Sequence, residues 1–276
     1  MKKGTIYGRL FALSIASSLL KVVHDTCFFK TNHLKFTTNK MPYSSSIRIV
    51  QISDLHNRMF GHNHERLLEA IHKSHPDVIV LTGDLIDRKT RLLNPIYRMI
   101  RQLTNAYEHV YFVTGNHEWE HFAYETFLNG LKERGVRVLD GKYVQLTKDG
   151  VTINVVGAGY ELESMDDVGH LDTPSMHSMY TIVLAHMPDG LRIADCLKAD
   201  LMLCGHTHGG QIRFPLIGAM VAPGQGLFPK QAKGVFPLEH DRFMYIDSGL
   251  GTTHLPIRFM NQSQFSVIDI HGDRLD

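Results

Sequence analysis

Short apolar, β-branched runs alternate with helical periodicity through the first half of the chain. Ile47 to Ile52 reads as a buried strand, and His64 to Ser74 as a helix with Leu67, Leu68 and Ile71 on one face. Asp77 to Leu81 is a second strand, and Leu92 to Leu103 a second helix with Pro95 in its first turn. His109 to Val113 is a third strand, and Trp119 to Arg134 a third helix stopped by Gly135. The period then changes. Tyr143 to Thr147 and Thr152 to Val156 flank Asp149-Gly150, a hairpin signal. Tyr180 to Ala185, Leu201 to Cys204, Phe243 to Ile246 and Gln264 to Ile270 are further strands, with a helix from about Asp189 to Leu197. Gly209 to Pro237 is rich in Gly and Pro and reads as a long functional loop. Unbroken apolar strands suit parallel pairing with both faces covered. The expected fold is α/β, with two packed mixed β-sheets flanked by helices in four layers.

The amino terminus stands apart. Lys2, Lys3 and Arg9 precede an uncharged run from Leu10 to Leu20, which resembles the start of a secretory signal but has no clear cleavage site. That run is shorter than the ~20 residues a bilayer span needs. It predicts an amphipathic helix, packed on the domain or lying on a membrane surface. Residues 31–46 read as an extended lead-in closed by Pro42 and Ser44-Ser45-Ser46. The expected division is therefore an N-terminal segment, 1–30, and one domain, 31–276.

Composition narrows the function classes. The 29 Lys+Arg nearly cancel the 28 Asp+Glu, so no global charge favours nucleic acid. Cys27, Cys196 and Cys204 are too few and too scattered for a disulfide framework or a thiolate zinc site. The 18 His raise the question of metal ligation, because imidazole is the commonest metal ligand.

Polar residues follow almost every buried strand. They are Ser53-Asp54-Leu55-His56, Thr82-Gly83-Asp84, Gly115-Asn116-His117-Glu118, His186, and Gly205-His206-Thr207-His208. Ligands bind beyond the carboxyl ends of strands in open α/β sheets, so five such ends would gather Asp, Asn and His at one place. Each piece alone has an ordinary explanation: a cap, an Asx-turn, a core histidine. Their joint occurrence in chain order does not.

This ordered set resembles the calcineurin-like metallophosphoesterases from about Ile47 to Ile270. Ser53 to Asn57, Gly205 to Gln211 and Ser248 to Phe259 are similar to the bacterial YkuE/YaeI-type branch, which often carries an amino-terminal membrane or export segment. The resemblance implies two divalent ions, one held by Asp54, His56, Asp84 and His208, the other by Asp84, Asn116, His186 and His206. Asp84 would bridge them, and His117 would contact the phosphate or protonate the leaving oxygen. A mixed N/O ligand set suits Mn²⁺, Fe²⁺, Zn²⁺ or Co²⁺. Two such ions lower the pKa of a shared water, and the hydroxide attacks phosphorus in line. Arg58, Gln211 and Arg213 adjoin ligand motifs and are candidate substrate contacts.

Three functions compete. The first is a binuclear-metal phosphoesterase, in particular a phosphodiesterase. The second is a membrane-side pyrophosphatase of a lipid-linked diphosphate of the UDP-2,3-diacylglucosamine type, with peripheral membrane contact through residues 1–30. The third is a non-catalytic metal-binding scaffold, which would require missing ligands. A bacterial, membrane-associated or exported protein is expected, with a cytoplasmic location left open.

Overall fold

The computed structural model describes residues 3–160 and 169–274; Lys2 of the basic start lies outside them. Two six-stranded sheets carry the chain. In the first sheet, β1 (Phe29–Thr38) pairs in parallel with β16 (Ser263–Gly272), and β16 runs antiparallel to β2 (Ser46–Ile52). Beyond β2 lie β3 (Val78–Thr82), β4 (Val110–Val113) and β5 (Arg137–Val138), all parallel to it. In the second sheet, β7 (Val151–Ala158), β8 (Thr181–Ala185), β9 (Leu201–Cys204) and β15 (Phe243–Ile246) are parallel. β6 (Lys142–Lys148) and β14 (Gly234–Pro237) are its antiparallel edges.

Strand periodicity explains the layering, since alternate side chains point to opposite faces. Ile49, Val80, Tyr111, Ile182, Leu203 and Ile268 fill the space between the sheets. Their neighbours Val50, Leu81 and Phe112 turn outward under α2 (Glu65–Lys73), α3 (Asn94–Ala106) and α5 (Tyr124–Lys132). Val183, Met202 and Met244 turn outward in the second sheet, under α6 (Pro174–Ser178) and α7 (Leu191–Cys196). The central strands are therefore buried on both faces, which is why they read as unbroken apolar runs. The four-layer α/β arrangement agrees with the sequence expectation.

Four local expectations change. The stretch read as an extended lead-in overlaps the ten-residue strand β1, which starts two residues earlier at Phe29 and whose partly exposed pattern hid its place in a sheet. The helix expected from Trp119 to Arg134 divides into α4 (Asn116–Trp119) and α5, because His121 bonds to the Thr90 carbonyl and to the Ala123 N–H in the intervening turn. The long loop contains two small hairpins, β10 (Arg213–Phe214) with β11 (Gly218–Ala219) and β12 (Val221–Ala222) with β13 (Gly226–Leu227), before edge strand β14. Two-residue strands are too short to show a period. Finally, α1 (Lys3–Cys27) is longer than the Leu10–Leu20 run suggested. Its Arg9–Cys27 portion is long and apolar enough to cross a membrane, a test that signal sequences also pass. The charges beyond Leu20 do not end the helix, because Lys21 and Asp25 pair one turn apart at 2.7 Å.

Candidate metal centre

Each parallel strand in the middle of the sheets delivers its polar turn to one end of the molecule. The loop after β2 runs beside the loop after β3, joined by Asp54 N–H to Gly83 O (3.1 Å) and His56 N–H to Asp84 O (3.0 Å). Gln51 links the two sheets just below, donating to Thr82 Oγ1 and to the Cys204 carbonyl, both at 3.0 Å. Asp54, His56, Asp84, His206 and His208 all sit in left-handed backbone, with φ between 45° and 67°. Asp54 and His56 therefore converge through a tight turn. Left-handed backbone costs a non-glycine residue about 1 kcal/mol or more. Holding five such residues requires the rigid sheets beneath them.

Close approach dictates the glycines here. Gly83 has φ +80°, and a Cβ on it would lie 2.6 Å from His186 Nδ1. At Gly115 a Cβ would collide with the Asp84 carboxylate.

The side chains converge. Asp54, His56 and His208 form one group, Asp84, His186 and His206 another, and His56, Asp84 and His117 a third, with ligand atoms within 4.8 Å in each. Asp84 Oδ2 lies 3.2 Å from His186 Nε2, 3.5 Å from His56 Nε2 and 3.9 Å from His117 Nε2. Asn116 Oδ1 is 3.2 Å from His186 Nε2. His208 Nε2 is 3.2 Å from His56 Nε2 and 3.6 Å from Asp54 Oδ1. All seven residues expected to ligate metal, and His117, thus meet at one place.

His186 tests whether a metal suits this cluster. Its Nδ1 is 2.9 Å from the Thr82 carbonyl, which can only accept, so Nδ1 carries a proton. In a neutral ring Nε2 then holds a lone pair. That lone pair faces Asp84 Oδ2, Asn116 Oδ1 and His206 Nδ1, each at 3.2 Å. The carboxylate and carbonyl oxygens of this set are satisfied by a proton on His186 or by a metal ion at Nε2. The electrostatics agree. Burial opposes a charged His186, yet the Asp84 carboxylate overrides it and holds the imidazole up at about 10. Burial pushes His56 down to about 4 and His206 to about 3, so both are neutral and ready to ligate. Burial also raises Asp54 to about 7. The donor set fits a pair of divalent ions, with Asp84 facing both groups.

Glu118 supports this centre without joining it. One oxygen accepts the N–H groups of Leu85 (2.6 Å) and Ile86 (3.2 Å), the other those of Asp84 (2.8 Å) and Gly115 (2.9 Å). Burial and the Asp84 charge push its carboxyl up to about 7, but two donors at each oxygen leave no room for a proton. The ionised form therefore fixes the turns that present Asp84 and Asn116.

His117 is flanked by residues the sequence did not single out. Arg88 Nη1 donates to its Nε2, and Asp87 Oδ1 lies 3.6 Å from its Nδ1. Glu118, next to His117 in sequence, is occupied by the N–H groups of Asp84, Leu85, Ile86 and Gly115. The position of Asp87 and Arg88 just past Asp84, on the same turn, was the available signal. Arg258 gave none. This fully buried guanidinium donates to the carbonyls of Ser248 (2.5 Å), Gly251 (2.7 Å) and His208 (3.4 Å), tying together the loops behind Asp54 and His208. The three candidate substrate residues make other bonds: Arg58 to Cys27 Sγ, Gln211 to the Leu255 carbonyl and Thr253 N–H, and Arg213 to the Gly209 carbonyl. A cavity of about 630 Å³ adjoins His186, with Tyr160, Asp189, Arg192 and Gln225 in its walls.

The family model for calcineurin-like phosphoesterases matches residues 47–210, more than half of the chain. The chain belongs to this family. As a calcineurin-like phosphoesterase it is a metal-dependent hydrolase of phosphoester bonds. It is similar to the metallophosphoesterase YkoQ of Bacillus subtilis, 28% identical over 260 residues, covering 92% of this chain and 95% of that one. YkuE of the same organism is 29% identical over 235 residues, covering 81% of this chain and 78% of that one. A bovine transmembrane protein with a metallophosphoesterase domain is 27% identical over 250 residues, covering 82% of this chain and 53% of that one.

The cap formed by Glu118 generates a prediction. Glu118→Gln replaces one acceptor oxygen by an NH₂ group that faces two N–H donors. Each donor left unsatisfied costs about 1–3 kcal/mol. The variant should unfold at clearly lower urea and retain less metal than the parent. An unchanged midpoint and full metal content would show that the carboxylate does not hold these turns.

Proposed function

We propose that this calcineurin-like phosphoesterase is a phosphodiesterase with two divalent ions, one held by Asp54, His56, Asp84 and His208 and the other by Asp84, Asn116, His186 and His206. The observation that carries this reading is Asp84 Oδ2, which lies 3.2 Å from a ring nitrogen of one group and 3.5 Å from a ring nitrogen of the other. Neutral imidazoles and carboxylates without thiolate favour Mn²⁺, Fe²⁺, Zn²⁺ or Co²⁺. Two such ions supply an activated water near neutral pH and offset charge on the phosphoryl oxygens.

The protein's own residues do the rest. His117 stands beside Asp84 at the cluster edge, and burial lowers its basicity, opposed by the neighbouring Asp84 carboxylate. Asp87 faces Nδ1 and stabilises the ring when it is protonated. A leaving oxygen that takes the place of Arg88 at Nε2 would receive the proton from that atom. The displaced Arg88 would remain tethered to Glu120. The cavity beside His186 has room for one arm of a diester, since small-molecule sites run about 300–1,000 Å³.

A second, narrower reading is a membrane-side hydrolase of a lipid-linked diphosphate. It is favoured by α1, whose apolar length stands almost wholly outside the domain, and by the transmembrane character named for the bovine relative. In this reading α1 anchors the enzyme at a membrane surface.

Leaving-group dependence tests the reading of His117. A lost general acid costs about 10²–10⁴-fold when the leaving oxygen is an alkoxide, and little when it is a nitrophenolate. Mn²⁺-loaded protein should hydrolyse bis(4-nitrophenyl) phosphate, and chelation should abolish that activity. His117→Ala should keep most of it while losing the reaction of an alkyl diester, with metal content unchanged. Equal slowing on both substrates would make His117 a phosphoryl-binding group. Absence of any metal-dependent diesterase activity would overturn the proposal as a whole.

A further inference from the structure

The apolar surface around the base of α1 is unusual in its backbone. Leu216, Phe228 and Met260 all adopt left-handed φ, at 68°, 52° and 52°. Turns of this kind are cheap for Gly, Asn or Asp and costly for large apolar residues. Burial does not compensate, because Leu216 is fully exposed and Phe228 and Met260 remain 56% and 43% exposed. Ile217, beside Leu216 at the hairpin tip, is exposed as well. The fold gains no core from these side chains, so their apolar character suits something outside it.

Their position points to what that is. Among the described residues α1 docks through its last turn, where Asp25 and Thr26 are buried while Leu13, Leu19 and Leu20 face outward. Thr26 Oγ1 accepts the Arg258 N–H at 2.8 Å, and Asp25 Oδ2 accepts the Asn261 N–H at 3.2 Å. Segment 258–261 is therefore the base on which α1 stands. Phe259, within it, packs on Phe214 with ring centres 5.8 Å apart, and its carbonyl accepts the Arg213 N–H at 3.0 Å. Phe214 belongs to the β10–β11 hairpin whose tip is Leu216-Ile217. The Phe228 N–H donates to Met220 O at 2.9 Å, just past β11. Met260 and the hairpin thus adjoin the point where α1 leaves the domain.

We propose that the β10–β11 hairpin is a second membrane contact, with Leu216 and Ile217 entering the lipid bilayer beside α1. This rests on the reading of α1 as a membrane anchor. An α1 that spans the bilayer brings whatever surrounds its base to the headgroup layer, where exposed apolar side chains gain by leaving water. Moving a Leu or Ile side chain from water into an apolar phase is favourable in proportion to the apolar area removed from water. Two contacts fix the orientation of the domain as one helix cannot. The same base is coupled to the metal centre, since Asn261 Nδ2 donates to the His208 carbonyl at 2.7 Å and Arg213 Nη1 to the Gly209 carbonyl at 3.0 Å. The oriented domain would therefore hold its metal-ligand loop close to lipid headgroups.

The test uses the full chain with Leu216→Trp, reconstituted into vesicles of phosphatidylcholine and phosphatidylglycerol. The chain has one native Trp, Trp119, so the added emission is read as the difference from the parent. Hydrolysis of bis(4-nitrophenyl) phosphate at the parent's rate would show that the variant is folded. The proposal expects the added emission to shift to the blue on reconstitution and to lose most of its intensity when the lipids carry brominated acyl chains. If the protein sediments with vesicles but the added emission stays solvent-like and insensitive to brominated lipid, the hairpin contact is wrong while the anchor reading stands. Failure to sediment overturns both. A blue shift that appears without vesicles and grows with protein concentration would assign the patch to a second copy of the chain and overturn the proposal.

Discussion

Asp84 is a buried carboxylate placed among imidazoles, and the site follows from what that carboxylate requires. Burial disfavours its charge, but His186, His56 and His117 surround it and hold its pKa well below the usual carboxylate range. A protonated His186 supplies one positive charge, while burial drives His56 and His206 toward neutrality, so the imidazoles alone offer little more. The charge demanded by Asp84, and shared by Asp54 through His208, is the charge two divalent ions supply. The loops that carry these charges are locked by the Glu118 carboxylate, which accepts the N–H groups of Asp84 and Gly115, and by the Arg258 guanidinium, which donates to the Ser248 and Gly251 carbonyls.

That electrostatic demand sets terms for the scaffold. Five candidate ligands sit in left-handed backbone, a geometry a flexible loop would abandon. Parallel strands buried on both faces provide the stiffness, and Gln51 and His186 cross from sheet to sheet directly beneath the turns. The glycines that flank Asp84 are there because a Cβ would strike the ligands themselves. Strain at the strand ends and rigidity in the strands are two sides of one design, and metal binding would return part of the strain energy as stability.

Much of this was legible in the sequence, for a physical reason. A doubly buried strand needs an unbroken apolar run, so its end is abrupt, and the polar turn after Ile52, Leu81, Val113, Ala185 or Cys204 stands out. The hairpin at Asp149-Gly150 was marked by its turn chemistry. Strand β1 was not recognised as a sheet member, because polar residues His33, Lys35 and Thr37 line its exposed side. The full extent of α1 was obscured by Lys21 and Asp25, which cancel as a pair only once the helix forms. Arg258 and Asn261 left no local trace. Their partners are carbonyls and a helix end more than two hundred residues away, as in the contact between Thr26 and Arg258. The left-handed turns at Asp54 and His56 were likewise invisible, since only tertiary packing imposes them.

The central claim is that one carboxylate serves two cations, and metal stoichiometry tests it most directly. Elemental analysis after saturation with Mn²⁺ and removal of free ion should give about two ions per chain. Asp84→Asn, which keeps the shape and removes the charge, should lose more metal than His56→Ala, which removes a ligand from one group. A parent that never exceeds one ion, or an Asp84→Asn variant that holds as much metal as His56→Ala, would contradict the account.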